Sequence, residues 1–252
     1  MVLGILMFLP ILAYFTLPHW IKGKVLCTLE YRGILKSADI SKYERILFVI
    51  AHPDDLEFLC GGTVHKFAES GKRVFLAVFT TGGWEKYMPA FLSKYIVNKR
   101  RVEQLRAAEI AGIEEVIFFD HPDGNLNDDK KVVSQMEGLL NTLKPDAIFT
   151  FDPHSWLKFC HPDHKAVGKA VIKALQNGKL RNSDLYLFST RKPNLIIDIT
   201  DTFPRKWKTL QVYSNFRLIS PIIRTLQEGI AGGYGALIEV KYGEGYRKIE
   251  NI

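Results

Sequence analysis

Three clusters of histidine and aspartate carry the chemistry available to this chain. His52, Asp54 and Asp55 lie in AHPDD; His121, Asp123 and Gly124 in HPDG; Asp152, His154, His161, Asp163 and His164 between FDPH and HPDH. Imidazole and carboxylate are common zinc ligands, and a second carboxylate beside the ion can take a proton from its water. Either aspartate after Pro53 could instead simply cap a helix. In HPDH the two histidines are three residues apart behind Pro162, which suits a first helical turn. Both can then face one site, one as ligand and the other free to act on substrate.

Each cluster follows a run of strand character: Ile46–Ala51, Val116–Phe119 and Asp146–Phe151. Further strands are expected at Val74–Thr80, Leu185–Thr190 and Leu195–Ile199. Helical spacing covers Phe58–Ser70 and Lys94–Ala111, closed by Gly71 and Gly112, then Lys130–Leu143 and Pro162–Leu175. Such alternation predicts an α/β fold, a Rossmann-like three-layer sandwich with a mostly parallel central sheet. In a doubly wound sheet the strand ends share one edge, so clusters far apart in sequence can converge. Gly82-Gly83-Trp84 opens a loop that could border a pocket, and Met88–Tyr95 reads as a lid or a plain loop. Phe216–Leu226 is amphipathic and reads as a surface helix with its apolar side in the core, or as a segment resting on lipid headgroups. No G-x-G-x-x-G follows the first strand, which argues against a dinucleotide enzyme.

The 252 residues are 47% hydrophobic and 24% charged, which fits one sizeable domain with a little to spare. The formal charge of +7 is spread along the chain and points away from nucleic acid, toward an anionic surface or a phosphorylated substrate. Cys27, Cys60 and Cys160 have no paired spacing, so a reducing compartment is expected and a thiolate zinc site is not. Val2–Ile21 lacks any charged side chain and is followed by Lys22, Lys24, Arg32 and Lys36. Despite Pro10 and Pro18, this reads as a single membrane helix preceding the domain, with a cleaved signal peptide or a buried helix as rivals. The positive-inside bias places the rest at the cytoplasmic side. The expected organisation is an anchor at 1–21, a juxtamembrane linker at 22–44 and a catalytic domain at 45–252.

AHPDD at 51–55, GGT at 61–63, RRVEQLRAAEIAGI at 100–113, PDGNL at 122–126, TFDP at 150–153 and HPDH at 161–164 occur in an order that resembles a known family. This is the family of zinc-dependent de-N-acetylases, PIG-L or LmbE-like, that includes N-acetylglucosaminyl-phosphatidylinositol deacetylase and enzymes of mycothiol and bacillithiol synthesis. The resemblance covers roughly residues 46–215. It implies zinc held by His52, Asp55 and His164, with Asp54 as general base. It also implies that His161 stabilises the oxyanion or donates a proton, that Asp123 orients and charges His161, and that Arg100 binds substrate, with Arg101 adjacent. The implied reaction is hydrolysis of a linear amide on an N-acetylglucosamine unit. The N-terminal run tilts the substrate toward a phosphoinositol-type lipid, with a soluble sugar or conjugate, such as chitin disaccharide, as the alternative. A metal-binding membrane scaffold is the non-enzyme alternative. Residues 242–246 resemble a segment closing the pocket in prokaryotic relatives. Oligomeric state is left open.

Overall fold

The computed structural model describes residues 35–85, 88–127, 130–154, 161–178, 183–190 and 192–250. Its strands are β1 (Lys36–Ser37), β2 (Arg45–Ile50), β3 (Arg73–Thr80), β4 (Glu115–His121), β5 (Ala147–Phe151), β6 (Asp184–Phe188), β7 (Leu195–Asp198) and β8 (Gly243–Ile249). Its helices are α1 (Asp55–Glu69), α2 (Ala90–Ala111), α3 (Lys130–Leu143), α4 (Pro162–Asn177), α5 (Phe203–Leu210), α6 (Ser214–Leu218) and α7 (Ser220–Ala236).

Ile46 to Ala51 are entirely inaccessible, the state expected of a β-branched run covered on both faces. That run lies mid-sheet, in the order β1-β7-β8-β6-β5-β2-β3-β4, with only β8 antiparallel to its neighbours. Ile46 is in register with Val74 on one side and Ala147 on the other. Phe48, Phe149 and Tyr186 stack across β2, β5 and β6, each neighbouring pair with centroids 4.7 Å apart. Right-handed crossovers place α1 and α2 on one face and α3 and α4 on the other. Contacts of α1 with α2 and α5, and of α3 with α4, agree with this division.

Several expectations need correction. Among the described residues no helix is long and apolar enough to cross a membrane. Helix α2 has the length, at 22 residues, but carries charges from Lys94 to Glu109. The run Val2–Ile21 lies outside the described residues, and the expected membrane helix and single-pass cytoplasmic-side placement are withdrawn. The linker expected up to residue 44 ends sooner. Lys36–Ser37 pair with β7, and Ile40 and Tyr43 are buried. Residues 90–95 belong to α2, since nothing in AFLSKY breaks a helix. Phe216–Leu226 is two helices: the chain leaves helical geometry at Ile219, φ −114° and ψ 34°, and Pro221, lacking an N–H, sits in the first turn of the second helix where no donor is required. Ile223 faces inward, but Leu218 and Ile222 are exposed.

Strand β8 and helix α5 had no sequence signal strong enough to reveal them. They meet through a buried pair, Lys206 Nζ to Glu244 Oε1 at 2.7 Å. Glu244 also accepts from Gly62 N at 3.0 Å, Thr63 N at 2.9 Å and Thr63 Oγ1 at 2.6 Å, which pins α1 to the sheet. A Cβ on Gly62 would lie 2.7 Å from Ile199, so the close approach requires glycine. Residues 242–246 are therefore packing under α1 and do not line the cleft described below.

At the opposite edge, burial works against the charge of Asp184, but bonds from Lys42, Tyr43 and Lys248 bring its carboxyl down to about 2. A depressed carboxyl contributes fully above its unfolded value of ~3.9, and that contribution is lost as the pH falls toward 2. Asp184→Asn is expected to lower stability at neutral pH by about 1–2 kcal/mol. It should also flatten the loss of stability between about pH 4 and about pH 2, read from urea midpoints; a variant with an unchanged acid limb refutes the assignment.

Candidate active site

Strand β2 passes through α1 to β3 on one side, while its neighbour β5 passes through α4 to β6 on the other. Connections leaving in opposite directions open a crevice at the C-terminal ends of those strands. The end of β2 is held firmly, with Ala51 O accepting from Thr80 N and Thr80 Oγ1, each at 2.8 Å. Pro53 stops the strand, and Asp54 turns the chain with φ 97° and ψ −21°, a left-handed conformation unusual for a residue with a Cβ. Helix α1 then starts at Asp55. Thus His52, Asp54 and Asp55 are delivered within one turn, beside His161 and His164 at the start of α4.

The cleft has a volume of about 400 Å³ and is lined by His52, Asp54, Asp55, Trp84, Arg100, Asp123, His161 and His164. That size falls within the roughly 300–1,000 Å³ usual for small-molecule sites. Every residue given a role from the sequence is therefore present. His121 turns away to Gln135, at 2.8 Å, and Asp152 is taken up by Arg247 and Thr190.

His52 Nδ1 is 3.2 Å from His164 Nε2 and 3.4 Å from Asp55 Oδ2, and His164 Nε2 is 3.2 Å from Asp55 Oδ1. Zinc bonds of roughly 2.0–2.2 Å in a tetrahedron set ligand atoms about 3.3–3.6 Å apart, so the spacing fits one ion with a fourth position left to the cleft. The far nitrogen of His52 strengthens the fit. Its Nε2 lies 3.1 Å from Asp123 Oδ1 and 3.3 Å from Asp163 Oδ2, acceptors that keep a hydrogen there and leave the Nδ1 lone pair toward Asp55 and His164. Phe151 stacks on His164 with centroids 4.0 Å apart and fixes that ring.

Asp163, placed in the third cluster by the sequence, was given no role of its own there. It is fully buried, and its two oxygens accept from Gly124 N at 2.8 Å and Leu126 N at 3.1 Å, tying the PDGNL loop to α4 and to His52. Its place between the two histidines of HPDH was the available clue. Asp123 is shared: Oδ1 faces both His52 and His161 Nε2, the latter at 3.5 Å, while Oδ2 accepts from Trp84 N at 3.2 Å. His161 Nδ1 accepts from Asp163 N at 3.4 Å.

Asp54 lies 3.5 Å from Arg100 Nη2 and accepts from Asn215 Nδ2 at 3.4 Å. Gly82 makes room for this arginine, since a Cβ there would sit 2.8 Å from Arg100 Nη1. The neighbouring Arg101 points elsewhere, to Asp120 at 2.7 Å and over the Phe118 ring, which settles which of the pair reaches the cleft.

The electrostatics separate the two adjacent aspartates. Burial raises Asp54 to about 6, against the pull of Arg100. Burial also opposes ionisation of Asp55, but His164 and His52 more than offset it and hold that carboxyl well below its ordinary value. For His52 the desolvation that would discharge it is overcome by Asp123, Asp163 and Asp55. Burial and the neighbouring His52 hold His161 below its usual value, while Asp163 and Asp123 pull it upward.

The profile of the family described as GlcNAc-PI de-N-acetylase, PIG-L, matches residues 47–175, a span that takes in AHPDD, PDGNL and HPDH. This chain belongs to the PIG-L family. Its members are metal-dependent N-deacetylases. The chain is 27% identical over 231 residues to the diacetylchitobiose deacetylase of Thermococcus kodakarensis, covering 83% of this chain and 84% of that protein. It is 30% identical over 135 residues to a probable N-acetyl-alpha-D-glucosaminyl L-malate deacetylase 2 of Bacillus cereus, covering 52% and 60%. The N,N'-diacetylchitobiose deacetylase of Pyrococcus horikoshii, solved with its inhibitor MPG, superimposes with a TM-score of 0.73 at 26% identity, covering 90% and 89%. Neither the disaccharide nor the malate glycoside in these names is a lipid. The phosphoinositol lipid expected from the N-terminal run is therefore set aside within this PIG-L chain, along with a membrane partner.

Asp163→Asn keeps the shape of the carboxylate cluster but weakens its hold on His52 Nε2. Metal affinity is expected to fall about 10–100-fold, measured by competition with a chelator; affinity equal to the parent protein contradicts the role given to Asp163.

Proposed function

We propose that this PIG-L chain, on its Rossmann-like three-layer scaffold, removes the acetyl group from an N-acetylglucosamine unit of a free oligosaccharide such as diacetylchitobiose. The observation that carries the reading is the convergence of His52, Asp55 and His164 at ligand spacing, with Asp54 on the same turn and His161 and Asp123 beside them. The disaccharide is favoured over the malate glycoside because the chitobiose deacetylase is matched over 83% of this chain and the malate enzyme over 52%. Trp84, 48% exposed at the cleft, offers an aromatic surface of the kind on which a sugar ring stacks.

His52, Asp55 and His164 would hold zinc, which when bound supplies a Lewis acid for the acetyl carbonyl and makes its water acidic near neutral pH. Asp54 accepts the proton of the attacking water as the new C–O bond forms. Arg100, with Nη2 3.5 Å from the Asp54 carboxylate, is placed to meet a sugar hydroxyl. His161, whose Nδ1 accepts from Asp163 N, carries its hydrogen on Nε2 beside Asp123 and from there donates a hydrogen bond to the oxygen that gains charge as the carbonyl carbon becomes tetrahedral. The C–N bond then breaks, acetate leaves, and the amine receives the proton that Asp54 took from water.

Asp54→Asn is the decisive variant. Zinc content and folding are expected to persist while release of free amine from diacetylchitobiose drops by at least about 10³-fold, within the ~10²–10⁴ attributed to a general base. Undiminished turnover removes the base assignment. A panel comparing diacetylchitobiose, the N-acetylglucosaminyl malate glycoside and an N-acetylglucosaminyl inositol lipid tests the substrate: the disaccharide should give the highest kcat/KM, and preference for the lipid overturns the choice.

A further inference from the structure

Asp54 is held in an unusual way. Its carboxylate makes only long contacts, 3.4 Å to Asn215 and 3.5 Å to Arg100, whereas Asp55 accepts from His52 N at 2.8 Å and meets His164 at 3.2 Å. The position of Asp54 must therefore come from its backbone, and that backbone is left-handed at φ 97°, a strained conformation for a residue with a side chain. Something has to hold the turn.

Three polar side chains that do not line the cleft meet at this turn. Gln104, with no accessible surface, accepts from Asp54 N through Oε1 at 3.2 Å. Its Nε2 donates to Glu57 Oε1 at 2.9 Å, and the buried hydroxyl of Tyr213 donates to Glu57 Oε2 at 3.0 Å. Because Nε2 is committed to Glu57, the amide of Gln104 is turned so that only oxygen can face Asp54 N. The two buried partners thus fix which end of the amide does the work. Gln104 also lies four residues beyond Arg100 on α2, on the same side of that helix, so one rigid element sets both the backbone of Asp54 and the cation beside its carboxylate.

We propose that Gln104 is a positioning residue for this deacetylase, its amide aligned by Glu57 and Tyr213 so that it holds Asp54 in the left-handed turn from which the carboxylate reaches the attacking water. The inference rests on Asp54 being the base. It assigns to Gln104 no contact with substrate or metal, so its loss acts on the rate of the bound complex.

Gln104→Met keeps the length of the side chain and removes both hydrogen bonds. With zinc-loaded protein and diacetylchitobiose, kcat is expected to fall at least tenfold while KM and zinc content stay within twofold of the parent. The exchanged pair Gln104→Glu with Glu57→Gln keeps the total charge and all three hydrogen bonds, with only the one between the two side chains reversed in direction, and should return kcat to within threefold. A brace that serves only stability would lower the unfolding midpoint in Gln104→Met and leave kcat of the folded protein unchanged, which overturns the proposal. Should Gln104→Met not fold, a folded, zinc-loaded exchange protein lacking activity overturns it equally. Asp54→Asn assayed alongside separates the two readings. An inactive Asp54→Asn with a fully active Gln104→Met removes the brace alone, and a fully active Asp54→Asn removes the base on which it depends.

Discussion

Three carboxylates, those of Asp55, Asp123 and Asp163, crowd one imidazole in a place from which water is largely excluded. Negative groups that close repel one another strongly in a poorly polarisable interior, so the arrangement is tenable only if a positive charge sits among them. His52 can carry that charge itself, as the upward push on its basicity indicates, or yield its proton when a cation takes the space between Nδ1, His164 and Asp55. Metal capture and proton release are thereby two faces of one electrostatic demand. The sheet meets that demand by burying β2 on both faces, so that the chain can expose His52 only where the strand ends.

Much of this was legible in the residues. Ile46–Ala51 could be read as a buried strand because its β-branched run has no polar alternation, and the proline after it marked the stop. HPDH announced a helix start because proline at a first turn and aspartate beside it are both favoured there. Other parts were opaque for physical reasons. GEGYRKI in β8 looks like a polar tail, and it becomes a strand only because β6 and β7 leave an antiparallel gap and Lys206 neutralises Glu244. The work of Gln104 was hidden as well, since a single glutamine in a charged helix reads as solvent-facing until the left-handed turn of Asp54 is seen beside it. Arg100 and Arg101 could not be separated by sequence either; the direction in which each side chain leaves α2 decides between them.

The membrane reading failed at a different level. It extended a hydropathy pattern in residues 2–21 to the partner and the substrate of a domain whose first described strand lies at residue 36. The apolar side chains exposed on the domain, among them Phe91, Leu218 and Ile222, are interspersed with Lys94, Arg217 and Arg224. Scattered exposure of that kind is common on folded surfaces and says little about what lies against them.

The clasp of Glu244 on Gly62 and Thr63 joins positions 182 and 181 residues apart. The floor beneath the helix that begins with Asp55 is thus complete only with β8 in place between β6 and β7. Closure over so long a loop is slow relative to local helix formation. The helix that carries Asp55 and the last described strand therefore share a contact that no local stretch of the chain can make by itself.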